Sequence, residues 1–419
     1  MSRPHRPPLP WGLRALLLAN FGSTFAFIGL ITFVGDQLFA LTGRPLDLGL
    51  LGVALFVPVF LLSPIGGTVA DRFDRRLVYA IPVAVEIVIA IGLVAYVRSG
   101  PTAAWPFFSF AAAYGAARAF AAPASRSLPI DLAGPDHLDR IIALKALSFQ
   151  MGVVVGPVAA GFAAVIAAEL PFAMSAMVLV VVLLLLSQVP APQTERLRSA
   201  AGPKQAFRDA VEGFRYIRNN EIVLAAIGLD LFAVLLGGAT ALLPAIAEDR
   251  LGVGEVGLGW LRAADGIGAA SMSVVLSFVA FKRHVGRILL VSVAVFGVAT
   301  IALGFATNYG VAFVAIMVLS AADAISVYIR SSIVPLATPE NMRGRVIALE
   351  NVFIGGSNEL GSLESGLAAQ FLGLVGAIVT GGVGTIAVVA VWWWKFPALR
   401  NVDRFEDVRI DQPSVPPPV

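Results

Sequence analysis

Apolar residues fill the chain in long runs, and short polar segments separate the runs. Each run holds roughly 20 residues, the length that an α-helix needs to cross about 30 Å of hydrocarbon. The predicted spans are Leu13–Leu41, Leu48–Ala70, Leu77–Val97, Ala103–Ala124, Ile142–Ala167, Pro171–Val189, Ile222–Ala247, Gly257–Phe281, Ile288–Ala306, Val311–Pro335, Val346–Phe371 and Leu374–Phe396. The pattern therefore predicts twelve membrane-spanning helices.

Part of the first half recurs in the second half. Leu144 and Leu349 each close an Ile-Ala-Leu triplet, and Gly161 and Gly366 each close the glycine-containing stretch that follows. Both pairs of positions lie 205 residues apart, and a register kept over that distance indicates two related halves. Because six predicted spans separate equivalent positions, the halves point the same way across the membrane.

This duplication predicts four parts of the chain. They are an N-terminal six-helix bundle at residues 1–189, a cytoplasmic linker with a surface helix at 190–220, a C-terminal six-helix bundle at 221–396, and a disordered cytoplasmic tail at 397–419. The surface helix is predicted from apolar and charged residues that alternate at helical spacing within the linker.

The composition agrees with a membrane protein. Hydrophobic residues make up 58% of the 419 residues and charged residues only 14%, too little polar material to cover a soluble globule. The net charge of +3 gives no sign of a nucleic-acid-binding surface. The absence of cysteine excludes disulfides and thiolate metal sites. We therefore expect an all-α polytopic membrane protein.

Basic residues are concentrated in alternate loops. If the N-terminus is cytoplasmic, the loops on that side hold most of the arginines, and the opposite loops hold little beyond Arg44, Arg98 and Arg250. By the positive-inside rule, both termini are expected in the cytoplasm.

The turn after the second span carries a motif. It reads Gly67-Thr-Val-Ala-Asp71-Arg72-Phe-Asp74-Arg75-Arg76. Together with two parallel halves of six spans, this turn resembles the signature of the major facilitator superfamily of secondary transporters, with Asp74 where that family usually has glycine. The resemblance covers the chain from about Leu13 to Phe396. It implies the major facilitator fold of two six-helix bundles around a substrate pathway.

The resemblance also implies a gate on the cytoplasmic side. Asp71 would accept hydrogen bonds from the N-terminus of the span-eleven helix, near Arg343 and Arg345, where the helix dipole favours an anion. Such a latch would hold that side closed while the other is open. The basic residues of the turn have an equally good alternative role, because positive charges there set the topology.

Span five resembles the motif of proton-antiporting drug exporters. It reads Gly152-Val-Val-Val-Gly156-Pro157-Val-Ala-Ala160-Gly161, with Ala160 in place of one glycine. Small residues let helices approach closely, and proline permits a kink, so this helix suits a rocking motion between the halves. Ordinary small-residue packing is the alternative. The branch is indicated by other stretches: LTGRPLDLGLLG at 41–52, the DRFDRR turn at 71–76, and the paired loops ending in ALKAL at 143–147 and RGRVIAL at 343–349. In these, the chain looks most like the enterobactin exporters and related multidrug efflux proteins.

Ionisable residues within the spans are the candidates for a coupling or substrate cavity, because each is costly in hydrocarbon. They are Asp36, Glu86, Arg118, Asp230, Asp265, Asp323, Glu359 and Glu364. We expect Arg118 to be the fixed cation. Glu359 and Glu364 lie roughly 140° apart around a helix and cannot share one narrow cavity. We favour Glu364, although each acid has an alternative structural role.

Enzyme motifs are absent from the sequence: it has neither a phosphate-binding Gly-Lys-Ser/Thr loop nor a His-Glu-x-x-His zinc motif. We expect a secondary transporter without cofactor or metal, acting as a monomer in the bacterial inner membrane and exporting a small amphipathic molecule, such as a siderophore or drug, in exchange for protons. An importer or uniporter is the alternative within transport, and a non-transporting sensor or partner-binding protein is the alternative outside it.

Overall fold

The computed structural model describes residues 9–190, 203–279 and 281–408, without the side chains of residues 134–136 and 203–207. The regular secondary structure within these ranges is helical. The helices are α1 (Trp11–Thr42), α2 (Pro45–Arg72), α3 (Arg75–Arg98), α4 (Trp105–Ile166), α5 (Leu170–Ser187), α6 (Pro203–Asn219), α7 (Glu221–Leu236), α8 (Leu243–Ala245), α9 (Glu255–Phe278), α10 (Val285–Phe305), α11 (Tyr309–Leu336), α12 (Glu340–Lys395) and α13 (Pro397–Arg400). Short 3₁₀ turns (Ala239–Leu242 and Phe405–Val408) and a π turn (Ile246–Arg250) complete the order.

The helix α4 contains two predicted spans. Its 62 residues would extend about 93 Å if straight, three times the hydrocarbon thickness. The ring of Phe27 on α1 stacks on Tyr114 with 5.5 Å between centroids. Two positions further along α1, a Cβ added to Gly29 would lie 3.1 Å from the Gly156 carbonyl oxygen. Both ends of α4 therefore lie beside the same part of α1, and the chain reverses between them.

The helix α12 also contains two spans. Gly373 interrupts it with φ 72°, a conformation that glycine adopts without a steric penalty. On the two sides of this point, Gly361 packs against the Val234 carbonyl and Gly381 against the Leu236 carbonyl. Val234 and Leu236 lie two residues apart on α7. The two parts of α12 therefore pack against the same end of α7, and the chain reverses between them.

With two spans each in α4 and α12, the predicted set of twelve is accounted for. By length and composition alone, nine helical segments in the described part of the chain could cross a membrane. These nine include α12, which holds two predicted spans, and the part of α4 from His137; they do not include α9 or the first part of α4. The predicted all-α polytopic class agrees with this architecture.

Contacts divide the chain into two compact units, one of residues 1–199 with 243–266 and the other of residues 200–242 with 267–419. Each has its own apolar core: Leu128 and Leu179 lie in the first, and Leu229 and Ile333 in the second. Residues 243–266 pack with the first unit, whereas the predicted boundaries assign them to the C-terminal bundle. Those boundaries stay predictions, and linker residues 191–202 lie outside the described residues.

Large apolar side chains also cover the surface of both units. Phe278 and Trp394 are 84% and 85% exposed, and Ile166 is 78% exposed. Water would make such a surface prone to aggregation, whereas lipid chains solvate it. The outer surface is thus suited to a bilayer.

Residues 397–408 are ordered, although the sequence predicted a disordered tail from position 397. Leu399, Val402 and Val408 are buried, and the backbone N–H of Gly286 donates to the Val402 carbonyl at 3.0 Å. These apolar positions anchor the segment to the second unit, a pattern that the surrounding charged and proline residues obscured. Residues 409–419 lie outside the described part.

The side chain of Asp403 joins residues 397–408 to the start of α10 through hydrogen bonds. It accepts hydrogen bonds from the backbone N–H of His284 at 3.0 Å and from Arg283 Nε at 3.0 Å. The backbone hydrogen bond from His284, aided by Arg283, lowers the pKa of Asp403 below its ordinary value. Its stabilising effect is therefore present above the ordinary pKa and is lost as the pH falls through the lowered one.

We expect Asp403→Asn to lower the thermal midpoint of the purified protein at neutral pH, because the replaced side chain no longer attracts Arg283. The difference from wild type should begin to shrink below about pH 4, the ordinary pKa of aspartate, and should disappear once the pH falls below the lowered pKa of the folded state. Glu406→Gln, at an exposed position on the same segment, is the control and should change little. A difference that is the same in acid and at neutral pH would contradict the prediction.

Candidate functional site

A buried acid, a hydroxyl and an arginine lie together in the first unit. Glu86 on α3 is 2% exposed, and Tyr114 Oη on α4 donates to Glu86 Oε2 at 3.2 Å. Arg118 follows Tyr114 by one helical turn on the same face of α4, and its charge acts on Glu86. The guanidinium carbon of Arg118 lies 4.0 Å from the centroid of the Phe27 ring on α1, a cation–π contact. We call Glu86, Tyr114 and Arg118 the Glu86 cluster.

The Glu86 cluster brings together two residues that the sequence singled out separately. A carboxyl group in a closely packed environment can bind and release a proton, and a guanidinium group can bind an anionic or aromatic group of a substrate. The cluster thus places a group that can bind a proton within the field of a fixed cation. Sequence reasoning missed Tyr114, because a tyrosine in an apolar helix carries no distinctive signal.

A second charged group lies within the second unit. Arg330 on α11 is 3% exposed. Its Nη2 lies 2.7 Å from Asp230 Oδ1 on α7, and its Nη1 lies 3.9 Å from Glu350 Oε1 on α12. Arg330 Nε also donates to Ser326 Oγ at 3.3 Å. We call Asp230, Arg330 and Glu350 the Arg330 trio.

The sequence analysis named only Asp230 of this trio. A signal for Glu350 was present, because Lys145 occupies the equivalent position of the first repeat and both copies therefore carry a charge there. The meeting of α7, α11 and α12 around Arg330 could not be read from the sequence.

The other predicted acids have different surroundings. Asp36 lies beside the Gln37 amide at 3.5 Å, and the charges of Glu248 and Glu255 act on it. Glu364 is half-buried, with Ser365 Oγ 3.5 Å from its Oε2. The remaining predicted acids each take part in a polar or electrostatic interaction; they are Asp265, Asp323 and Glu359.

The basic turn after α2 is held by local ion pairs. Arg75 Nη2 lies 3.3 Å from Asp71 Oδ1, and Arg75 Nη1 also pairs with Asp131 on α4. Asp71 remains 65% exposed, and Gly67 has open space around its α-carbon. Arg72 takes part in a further interaction. The proposed latch on Asp71 stays a prediction.

The turn accommodates Asp74 at the position where the superfamily usually has glycine. The φ of Asp74, −61°, lies in a region open to any residue. The carboxylate accepts a hydrogen bond from the backbone N–H of Arg76 at 2.9 Å and so caps the N-terminus of α3. Arg76 in turn pairs with Asp74 at 3.0 Å and donates to the Val189 carbonyl at 2.9 Å.

Arg343 and Arg345, the predicted gate residues at the start of span eleven, contact their own unit. Arg343 Nε donates to the Pro335 carbonyl at 3.2 Å. Arg345 Nη2 lies 2.9 Å from Asp209 Oδ1, and its Nη1 also pairs with Glu212. Both acids belong to α6, so Arg345 ties the start of α12 to the linker helix.

The glycines of the antiporter-like stretch lie at close helix contacts. A Cβ on Gly152 would lie 2.7 Å from Thr24 Cβ, and one on Gly156 would lie 2.5 Å from the Phe25 carbonyl oxygen. A Cβ on Gly161 would lie 2.6 Å from the Glu255 carbonyl oxygen. A Cβ on Gly259 would likewise lie too close to the Pro157 carbonyl oxygen. Small residues thus allow this helix to pack closely on α1 and α9.

We expect Gly156→Ala to destabilise the protein by about 1–3 kcal/mol, because the added methyl group overlaps the backbone of α1. Gly356→Ala is the matched control, since a Cβ on Gly356 meets no atom within 4 Å and alanine favours the helix. Thermal unfolding in one detergent compares the two variants. Equal midpoints for both would show that α1 and α4 are not packed as described.

A metal site is not apparent in the described residues: no group of three or more His, Asp or Glu side chains there could hold an ion.

The known proteins that this chain resembles match it over most of its length. The profile of the transmembrane secretion effector family matches residues 14–418. The tetracycline resistance protein, class C, of Escherichia coli is 25% identical over 344 residues, covering 82% of this chain and 84% of that protein. The multidrug efflux pump Tap of Mycobacterium tuberculosis is 24% identical over 377 residues, covering 86% and 87%.

A solved structure shows the fold. The crystal structure of the D-xylose–proton symporter superposes with a TM-score of 0.70 at 15% identity, covering 92% of this chain and 97% of that one. The predicted fold class is thereby confirmed.

Proposed function

Because the chain belongs to the transmembrane secretion effector family of the major facilitator superfamily, we propose that it exports a small amphipathic molecule, such as a drug or siderophore, in exchange for protons. That it is a multi-pass membrane transporter, and not an enzyme, follows from the family and the relatives. The direction of transport, the class of substrate and the coupling ion are the proposed part.

The observation that carries the proposal is the likeness to proteins named for drug resistance and efflux. Two such proteins align with more than four-fifths of this chain and of their own length. The fold by itself leaves the direction open, since a D-xylose–proton symporter shares it. Import therefore remains the second candidate.

The chemistry of the described residues supports proton coupling. The Glu86 cluster sets a carboxyl group beside a hydroxyl and within the field of an arginine, in a nearly dry position. A carboxyl group in such a place can be protonated in one state of the transporter and ionised in the other, as its access to water changes. Glu364 is the further candidate for this role, in the second unit.

The cellular setting is part of the proposal. We place the protein in the bacterial inner membrane as a monomer, with both termini in the cytoplasm, where the basic loops face the anionic leaflet. In that orientation the proton gradient across the inner membrane would drive export.

Proteoliposomes with an acidic lumen test the proposal. We expect protein reconstituted with its cytoplasmic face outward to accumulate tetracycline or an amphipathic dye in the lumen, as protons leave. A protonophore, which collapses the gradient, is the control and should stop accumulation. Transport unaffected by the gradient would identify a uniporter. Absence of movement for a panel of drugs and siderophores would favour a sensor.

A further inference from the structure

The Arg330 trio is enclosed at the predicted cytoplasmic end of the second unit. Arg330, Asp230 and Glu350 are 3%, 5% and 8% exposed. Counted along α7, α11 and α12, the three residues lie about 9–15 Å from the helix ends on that side. Charged groups at this depth are costly unless they are paired.

The charges of the trio do not balance when all three groups are ionised. Arginine stays protonated in proteins, so Arg330 supplies one positive charge to face two carboxylates. The trio would then carry a net negative charge in a closely packed, apolar setting. One bound proton removes this imbalance, because it leaves one ion pair and one neutral carboxylic acid.

The distances distinguish the two carboxyl groups. Asp230 approaches Arg330 to 2.7 Å, a charge-assisted hydrogen bond, whereas Glu350 stays at 3.9 Å. The proton therefore belongs on Glu350, the more weakly held partner. Asp230 and Arg330 are the charged groups that act on Glu350 from the packed helices α7 and α11.

A small pocket continues from the trio deeper into the second unit. Asp230, Asp323 and Ser326 contribute the polar part of its lining, beside Ala233 and Phe296. Asp323, Ser326 and Arg330 follow one another at helical spacing on the same face of α11. These groups form a polar row of about 10 Å along α11, which begins at the trio and runs toward the middle of that helix.

From this geometry we propose that Glu350 is a proton-binding site, with the Asp230–Arg330 pair as its fixed counterpart, and that its proton is the one exchanged during transport. The exchange of this proton during transport rests on the proposed function. On release, the O–H bond of Glu350 breaks, the proton passes to water on one side of the membrane, and the carboxylate is attracted to Arg330. Protonation from the other side restores the neutral acid.

Infrared spectroscopy of the purified protein detects the neutral carboxylic acid without any transport. We expect a carbonyl band of a protonated carboxyl group at neutral pH that Glu350→Gln removes. Asp230→Asn should remove it as well, because Glu350 then gives up its proton to pair with Arg330. Glu406→Gln, at an exposed position, is the matched control and should leave the band unchanged. A band unaffected by Glu350→Gln would overturn the proton site.

Transport then tests the role of the proton. In proteoliposomes, Glu350→Gln should lose the gradient-driven part of the flux while substrate exchange at equal pH continues. Gradient-driven flux at the wild-type rate would overturn the role of Glu350 in coupling and leave proton-driven export standing. If the wild type itself ignores the gradient, the proposed function fails, and the infrared result alone decides whether Glu350 binds a proton.

Discussion

Replacing Arg330 with methionine is expected to lower the free energy of unfolding by about 3 kcal/mol at neutral pH, near the lower end of the cost of breaking a buried ion pair. The variant leaves Asp230 and Glu350 enclosed without a cation. Because protonation removes the uncompensated negative charge, the loss should be smaller in acid. Denaturant or thermal unfolding in detergent, measured across a pH series, gives both the size and the direction of this effect.

Two comparisons separate this cause from a general defect. Arg98→Met changes an exposed arginine at the end of α3 and should leave stability nearly unchanged. The triple variant Arg330→Met, Asp230→Asn, Glu350→Gln removes all three ionisable groups and should recover much of the stability. Failure of the neutral triple variant to improve on Arg330→Met would show that packing, and not charge, dominates at this position.

Arg118→Ala is expected to reduce gradient-driven flux at least about tenfold, equivalent to about 1.4 kcal/mol. It removes the cation that acts on Glu86 and that lies over the Phe27 ring. Arg118→Lys keeps the charge but loses the planar guanidinium group, so it should retain part of the flux. The initial rate of tetracycline accumulation in proteoliposomes measures both.

Two further variants test whether Arg118 acts through its charge on Glu86. Arg98→Ala is the control at an exposed arginine and should transport at the wild-type rate. Glu86→Gln should resemble Arg118→Ala if the Glu86 cluster acts as a unit. Wild-type flux in a folded Arg118→Ala variant would rule out this arginine as a coupling residue.

The fold was largely predictable because a bilayer imposes simple requirements on a sequence. Each crossing needs about 20 apolar residues, and such runs are visible without any knowledge of packing. The reversals within α4 and α12 were less visible. They depend on contacts such as those of Gly361 and Gly381 with α7, which bring together positions far apart in the chain.

The site was only partly predictable, for a related reason. Because an ionisable group is costly to place in hydrocarbon, residues such as Glu86 and Asp230 stand out in the sequence of a span. The sequence does not show which residues they contact. Glu350 lies close to the start of its span, where charged residues are common, and its partner Arg330 could not be identified from the sequence. The contacts of residues 397–408 with the second unit were not predicted, because three apolar residues among charges and prolines are a weak local signal, although they suffice to anchor a short segment.

The turn at Gly373 has a practical consequence for mapping this protein. Since one glycine with positive φ joins the last two spans, this turn offers a protease or an antibody almost no chain to recognise. A reporter peptide inserted there would have to displace a helix end. The stretch around Gly100 is the better choice, because it lies in a loop between α3 and α4 and a Cβ added to Gly100 would meet no atom within 4 Å.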